Sequence, residues 1–283
     1  MFKKLIPVFI ALFAITVAAS AFGQTEDEII SKYLKKMEKD RKHKIYYGSL
    51  SFSYGKLPNS SDYNVYSNYV NVNVGPDNPM TGIWRSKELS ANMGMMISKK
   101  TSFQLGFDYW LKMGDNRNGD YTFSISPLGT QTDFELISEV QVYGITGGVD
   151  YHLLNPPDNE GIVNGFNVRV GGGGGIYFSK WEVWSGASSF NLSTSDEEAN
   201  VAPLKGTSPG FSAWVGADYP TGFFGMLLSA NVNYLYLNFS DVHSYNDFDE
   251  ELYLSYTSNP EDRVELDFSG LRGKIEFKKY FKW

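Results

Sequence analysis

The chain has 283 residues, a net charge of −7 and no cysteine, which excludes a disulfide scaffold, a thiolate metal site and a cysteine nucleophile. Its 6 Trp, 19 Tyr and 20 Phe argue against a disordered polypeptide. The mean hydropathy is −0.29 and no apolar run after Ala19 approaches the ~20 residues of a spanning helix, which excludes a helical membrane protein. The acidic balance argues against nucleic-acid binding, because neutralising phosphates requires clustered Lys and Arg.

The N-terminus has the features of a secretory signal peptide. Lys3 and Lys4 precede an apolar stretch from Leu5 to Val17, and small residues follow at 19–21. We predict that residues 1–21 are removed, with cleavage possible as late as Gly23. The alternative is an uncleaved N-terminal anchor. Export without cysteines favours a bacterial envelope.

Residues 22–44 are predicted to form a periplasmic lead-in segment, with a helix over 25–44. Acidic residues follow Thr25 and basic residues end the segment, as the helix dipole favours. Apolar residues recur at helical spacing: Ile29, Ile30, Tyr33, Leu34 and Met37. One alternative is that the helix is surrounded by solvent. The other is that its apolar stripe packs against the membrane surface or against the mouth of the β-barrel predicted below.

From Ile45 onward, apolar and polar residues alternate with the period of a β-strand. In one example, Phe103, Leu105 and Phe107 alternate with polar residues or glycine. This pattern predicts eight strands, at 45–55, 87–98, 101–112, 134–153, 164–180, 209–219, 223–239 and 263–283.

The connections between these strands alternate in length. Short ones fall at 98–100, 156–159 and 220–222, and long ones at 56–86, 113–133, 181–208 and 240–262. A transmembrane β-barrel has short turns at one end and long loops at the other, whereas a β-sandwich has no reason to segregate them. We therefore predict an all-β fold, an eight-stranded antiparallel transmembrane barrel over residues 45–283.

A barrel of eight strands is too narrow for an open pore, so side chains should fill its interior. The alternation directs seven charged residues inward: Asp108, Glu139, Arg169, Asp218, Arg272, Lys274 and Glu276. Both signs are present, and buried charges are normally paired. We interpret these residues as a buried charge network and not as a binding site.

The last strand carries the most specific signal. Gly273, Ile275, Phe277 and Phe281 share one face, and the sequence ends at Trp283. It resembles bacterial outer-membrane β-barrel proteins, whose final strand ends in an aromatic residue, and the stretch 266–271 is similar to the closing strand of small OmpA-type and OmpX-type barrels. The resemblance implies an outer-membrane location and recognition of this strand by the barrel-assembly machinery. Lys279 departs from the pattern, because it falls on the lipid face.

Three local features require interpretation. The glycines at 171–175 lack the Gly-Lys-Ser/Thr of a nucleotide loop, so we interpret them as a bend or a close-packed barrel wall. The apolar phase slips between Val142 and Ile145 and near Ser269, which predicts bulges. The first long loop alternates Tyr and Val between 63 and 74, which predicts an extension of the sheet above the membrane.

Few residues could support catalysis. The grouping of His243, Ser244 and Asp247 or Glu250 could imitate the site of a lipid-modifying outer-membrane enzyme. Adjacent residues on a strand point to opposite faces, which argues against a contact between His243 and Ser244. We assign no catalytic, cofactor-binding or metal-ligating residue and predict a protein that is not an enzyme.

The predicted function is therefore structural or surface-interacting. The alternatives are a conduit for small hydrophobic molecules, as in OmpW-type barrels, which requires an apolar lumen, and an enzyme that modifies lipid A or phospholipid. The predicted partners are outer-membrane lipids and lipopolysaccharide. The acidic last loop, 240–262, is either solvated or a weak divalent-cation site that bridges to lipopolysaccharide phosphates.

Overall fold

The computed structural model describes residues 45–58, 61–73, 79–115, 123–125, 132–158, 160–187, 199–200, 203–245, 251–252 and 264–282. The predicted signal peptide and lead-in helix lie outside these residues, as do Trp283 and most of the acidic last loop. Within these ranges, no helix is both long enough and apolar enough to cross a membrane.

Eight long strands form one closed antiparallel barrel. They are β1 (Ile45–Lys56), β2 (Arg85–Met96), β3 (Thr101–Trp110), β4 (Thr132–Leu154), β5 (Asn167–Ala187), β6 (Leu204–Pro220), β7 (Met226–Val242) and β8 (Gly270–Lys282). Each strand pairs with the next in the sequence, and β8 returns to β1 in a register that runs from Ile45↔Lys282 to Gly55↔Arg272. The predicted fold class is confirmed.

The outward side chains form an apolar belt between two aromatic girdles. The lower girdle, at the end of the barrel where β1 begins, contains Tyr46, Tyr151, Phe166, Tyr219, Phe223, Phe224 and Phe281. The upper girdle, at the end where β1 finishes, contains Tyr54, Tyr109, Tyr143, Phe178, Tyr234 and Tyr236. Tyr54 follows Tyr46 by eight positions on β1, which is roughly 27 Å along the strand and suits a tilted crossing of the ~25 Å apolar band. Lys279 is exposed on this surface, as predicted.

The two ends of the barrel differ in the length of their connections. Residues 97–100, 155–166 and 221–225 connect the strands at the short-turn end, where β1 begins and β8 ends. The longer connections, 57–84, 111–131, 188–203 and 243–269, lie at the opposite, long-loop end. This segregation is the one predicted from the sequence, and in outer-membrane barrels the long loops face the exterior.

The first long connection contains a helix, α1 (Asp62–Asn73), so the predicted sheet extension is wrong. Tyr63 and Tyr66 are three residues apart and therefore share one helical face. Their rings pack against Trp181, with centroid separations of 5.3 and 5.4 Å. Alternating Tyr and Val satisfied a strand pattern locally, but burial of this face against the barrel mouth selects the helix.

The predicted bulge in β4 is also wrong. Pairing of β4 with β5 continues without a shift from Phe134↔Ala187 to His152↔Arg169. Val140 and Val142 are both buried inside the barrel, so the apolar phase changes because the interior itself becomes apolar there. The second predicted bulge, near Ser269, is wrong as well. The strand is interrupted at 268–269, between Val264–Asp267 and β8, but the register with β7 does not shift there, because Asn238↔Asp267 and Leu235↔Gly270 belong to one continuous series.

Candidate functional site

The barrel interior is filled in three layers. At the short-turn end, an apolar layer joins Ile45, Tyr47, Leu227 and Tyr280 to Val163, which the connection between β4 and β5 contributes. Charged and polar side chains occupy the middle, and a second apolar layer closes the long-loop end. A channel, a binding cavity or a plug would each lie in this interior, which makes it the candidate site.

Arg169 on β5 is the centre of the first charge cluster. Its Nη1 donates to Asp150 Oδ1 at 2.9 Å, its Nε to Asp218 Oδ1 at 3.1 Å and its Nη2 to Glu276 Oε2 at 2.7 Å. All four side chains are almost completely buried. The guanidinium thus binds carboxylates from three other strands across the lumen, which its fixed fork of donors allows.

Further side chains complete the coordination of these carboxylates. Trp214 Nε1 donates to Asp150 Oδ1 at 2.6 Å, and Ser229 Oγ donates to Asp218 Oδ1 at 2.5 Å. The Lys278 ammonium lies 3.8 Å from Glu276 Oε2 and 4.9 Å from the centre of the Tyr47 ring. Two buried cations therefore face three buried carboxylates in this cluster.

A second charge cluster lies nearer the long-loop end. Arg272 Nη1 donates to Glu88 Oε2 at 2.8 Å, and its guanidinium carbon lies 4.0 Å from the centre of the Trp110 ring. Tyr177 OH donates to Asp108 Oδ2 at 3.0 Å. The predicted inward positions of Asp108, Arg169, Asp218, Arg272 and Glu276 are confirmed, as is their role in a buried network. Lys274 is half-buried and lines the same interior.

Glu139 does not point inward, so its predicted place in the network is wrong. On β4 the even-numbered residues face the lumen from Ser138 to His152, and Glu139 lies on the outer face. It accepts a hydrogen bond from Lys112, and this bond raises the pKa of Lys112 above its ordinary value. The prediction failed because it placed the apolar residues of β4 outward, where Val140 and Val142 do not lie.

The glycines of β5 form a close-packed wall, as interpreted from the sequence. A Cβ at Gly171 would lie 2.4 Å from the indole of Trp214, and one at Gly148 on β4 would lie 2.6 Å from the same ring. Glycine therefore makes room for a tryptophan inside a narrow barrel. Between the two charge clusters a cavity of about 60 Å³ remains. It has room for a few water molecules but is several times smaller than the roughly 300 Å³ of a small ligand site.

The upper apolar layer packs across the lumen at the long-loop end. It contains Trp110, Val140, Val142, Trp181, Leu204, Leu235, Leu237, Phe239 and Phe268, with Tyr63 and Met80 from the first loop. Sequence reasoning missed this layer, although Trp110 already stood in the inward phase of β3. Burial against these side chains raises the pKa of Tyr66 to about 12.

Of the candidates for catalysis named from the sequence, the structure describes only the side chain of His243. His243 Nδ1 lies 3.3 Å from Asp241 Oδ1, and its backbone pairs with that of Lys205. The Ser244 side chain, Asp247 and Glu250 lie outside the described part of the structure. Within the described ranges, no group of three or more Asp, Glu or His side chains could hold a metal ion.

The structure instead places Ser102, His152 and Asn167 in a hydrogen-bonded chain that the sequence did not indicate. His152 Nε2 lies 3.3 Å from Ser102 Oγ. On the other side of the ring, His152 Nδ1 lies 3.0 Å from Asn167 Nδ2 and 3.3 Å from Asn167 Oδ1. Asn167 Nδ2 donates to Asp218 Oδ2 at 2.7 Å. Either neutral tautomer of His152 completes this chain, because the Asn167 amide presents both a donor and an acceptor to Nδ1 and the Ser102 hydroxyl can donate to Nε2 or accept from it. His152 has no exposed surface, and the chain links β3, β4, β5 and β6 inside the barrel.

No family model and no curated protein matches the chain. Among solved structures, Neisserial surface protein A is similar at 15% identity over 84% of this chain and 97% of its own, with a TM-score of 0.37. A major outer membrane protein from Thermus thermophilus is 12% identical over 83% of this chain and 99% of its own, with a TM-score of 0.42. The outer membrane protease OmpT from Escherichia coli is 9% identical over 84% of this chain and 96% of its own, with a TM-score of 0.36. This degree of similarity concerns the fold alone and does not separate enzymes from other proteins. The closed eight-stranded architecture, with its apolar belt and filled interior, is that of the small β-barrels of the bacterial outer membrane.

Proposed function

We propose that the protein is a non-conducting, non-enzymatic barrel of the outer membrane with a structural or surface-interaction role. The observation that carries this proposal is the filled interior, in which Arg169 joins four strands between two apolar layers. A channel would need a continuous polar lumen, and the upper apolar layer interrupts it.

The filled interior also counts against a conduit for hydrophobic molecules. Such a conduit requires an apolar passage through the barrel, but the middle layer holds five buried carboxylates, those of Glu88, Asp108, Asp150, Asp218 and Glu276. An apolar molecule would have to displace side chains that are paired and hydrogen-bonded, which carries a high free-energy cost.

The first loop supports a role at the surface, because hydrogen bonds hold α1 against residues 80–83 of the same loop. Asn64 accepts the Ile83 N–H at 2.7 Å, and Asn71 accepts the Met80 N–H at 2.7 Å and donates to the Met80 carbonyl at 3.0 Å. These amides tie α1 to the chain segment beside it. Its opposite face exposes Val65 and Val72, as a surface that contacts another molecule would.

Conductance measurements test the proposal. Mature protein refolded in detergent and inserted into a planar lipid bilayer should show no stepwise current, whereas a porin inserted in the same way should show it. Insertion is checked in parallel by the slower gel mobility of the heated, unfolded protein. Stable open channels in a correctly inserted sample would contradict the proposed function.

A further inference from the structure

A cluster of basic side chains lies on the outer surface at the upper edge of the apolar belt. It consists of Lys56 at the end of β1, Arg85 and Lys87 at the start of β2, and Lys112 just after β3. Arg85 pairs with Lys56, Lys87 pairs with Tyr54 of the upper girdle, and the Leu111 N–H donates to the Lys87 carbonyl at 2.9 Å. The register therefore brings all four cations to one side of the barrel.

Among the described residues, neighbouring carboxylates neutralise only one of the four cations. Lys112 is paired with Glu139, but in the described part of the chain no ion pair involves Lys56, Arg85 or Lys87. The chain as a whole is acidic, so a local excess of positive charge stands out. On the seam between β5 and β6, four strands away, Lys180 and Lys205 also face outward, but there Lys180 is paired with Glu182.

Three members of the basic cluster, Arg85, Lys87 and Lys112, line a cleft of about 600 Å³, and Lys56 lies beside it, paired with Arg85. Two aromatic side chains, Tyr54 and Trp84, also line this cleft. The guanidinium carbon of Arg85 lies 5.9 Å from the centre of the Tyr54 ring, and the Trp84 side chain is 48% exposed. Aromatic rings at a membrane interface contact both the apolar and the polar part of a lipid. Lys and Arg supply the charge-assisted hydrogen bonds that phosphate oxygens accept.

We propose that this cleft binds the phosphate groups of an anionic lipid headgroup in the outer leaflet, such as the phosphorylated sugar of lipid A. The cluster stands at the long-loop end, level with the upper girdle, where headgroups of the outer leaflet lie. Arg85 and Lys87 bind the phosphates, Lys56 adds positive charge, and Tyr54 and Trp84 contact the sugar and the first methylene groups. This inference rests on the proposed function, an outer-membrane barrel, and on its long loops facing the exterior.

Binding of fluorescent lipid A tests this site. The refolded protein is titrated in dodecylmaltoside micelles, and apparent dissociation constants are compared for the unchanged protein, R85Q/K87Q and K180Q/K205Q. Because each lost charge-assisted hydrogen bond weakens binding about tenfold, we expect R85Q/K87Q to bind roughly 10- to 100-fold more weakly. K180Q/K205Q removes the same charge from the opposite side and should bind as the unchanged protein does.

Two further arms identify the ligand chemistry. Lipid A stripped of its phosphates should bind as weakly to the unchanged protein as intact lipid A does to R85Q/K87Q, and millimolar inorganic phosphate should not displace intact lipid A. Equal binding of the stripped lipid, displacement by inorganic phosphate, or equal losses in both double variants would overturn the site. If the protein refolds and does not conduct but fails to bind lipid A, the site is wrong while the proposed function stands.

Discussion

Replacing Arg169 with Met should lower the free energy of unfolding by about 3–5 kcal/mol, the usual cost of leaving buried charges without their partner. The variant leaves Asp150, Asp218 and Glu276 buried with Lys278 as the remaining cation of that cluster. The measurement is the urea midpoint for unfolding of the refolded protein in lipid vesicles, and the fraction of folded barrel at each urea concentration is read from its gel mobility.

Two companion variants show whether buried charge causes this loss. Arg85→Met removes an arginine from the exposed outer surface and should leave the midpoint close to that of the unchanged protein. Adding D150N and E276Q to R169M removes two uncompensated carboxylates and should recover much of the lost stability. Equal midpoints for R169M and R85M would show that the cluster around Arg169 does not stabilise the barrel.

Replacing Trp181 with Ala should also destabilise the barrel by about 3–5 kcal/mol, as expected when a large buried aromatic side chain is deleted. Trp181 is completely buried, donates from Nε1 to Ser138 Oγ at 2.8 Å and carries the rings of Tyr63 and Tyr66. Its loss should therefore detach α1 from the barrel mouth as well. Limited proteolysis should cut the first loop of the variant faster than that of the unchanged protein.

Trp84→Ala is the matched control, because Trp84 belongs to the same loop and lies half-exposed on the outer surface. It should leave both the urea midpoint and the rate of loop cleavage nearly unchanged. If Trp181→Ala behaves like Trp84→Ala, the upper apolar layer is not what fixes α1.

The barrel was predictable because its outer surface follows one simple rule. Lipid requires every second residue to be apolar, so period two marks the strands, and the contrast between short turns and long loops distinguishes a barrel from a sandwich. The same alternation placed Arg169 and Asp218 inward correctly. Their partners could not be derived, because β4, β5, β6 and β8 meet across the lumen only after the barrel has closed.

The failures have a common physical origin at the long-loop end. There the inner surface is apolar too, so Val140 and Val142 break the expected alternation while the strand continues. That reversal misplaced Glu139 and suggested a bulge. α1 was missed because its Tyr and Val residues fit a strand as well as a helix, and the distant Trp181 decides between them.

The central claim is that the lumen is closed, and the absence of cysteine from the sequence makes a direct measurement possible. Ser229→Cys places one thiol in the middle layer, where the side chain has no exposed surface, and Asn68→Cys places one on the exposed face of α1. In lipid vesicles, a water-soluble thiosulfonate should modify the cysteine at position 68 rapidly and the cysteine at position 229 only after the barrel is unfolded. Modification of both cysteines at similar rates in the folded barrel would contradict a closed lumen.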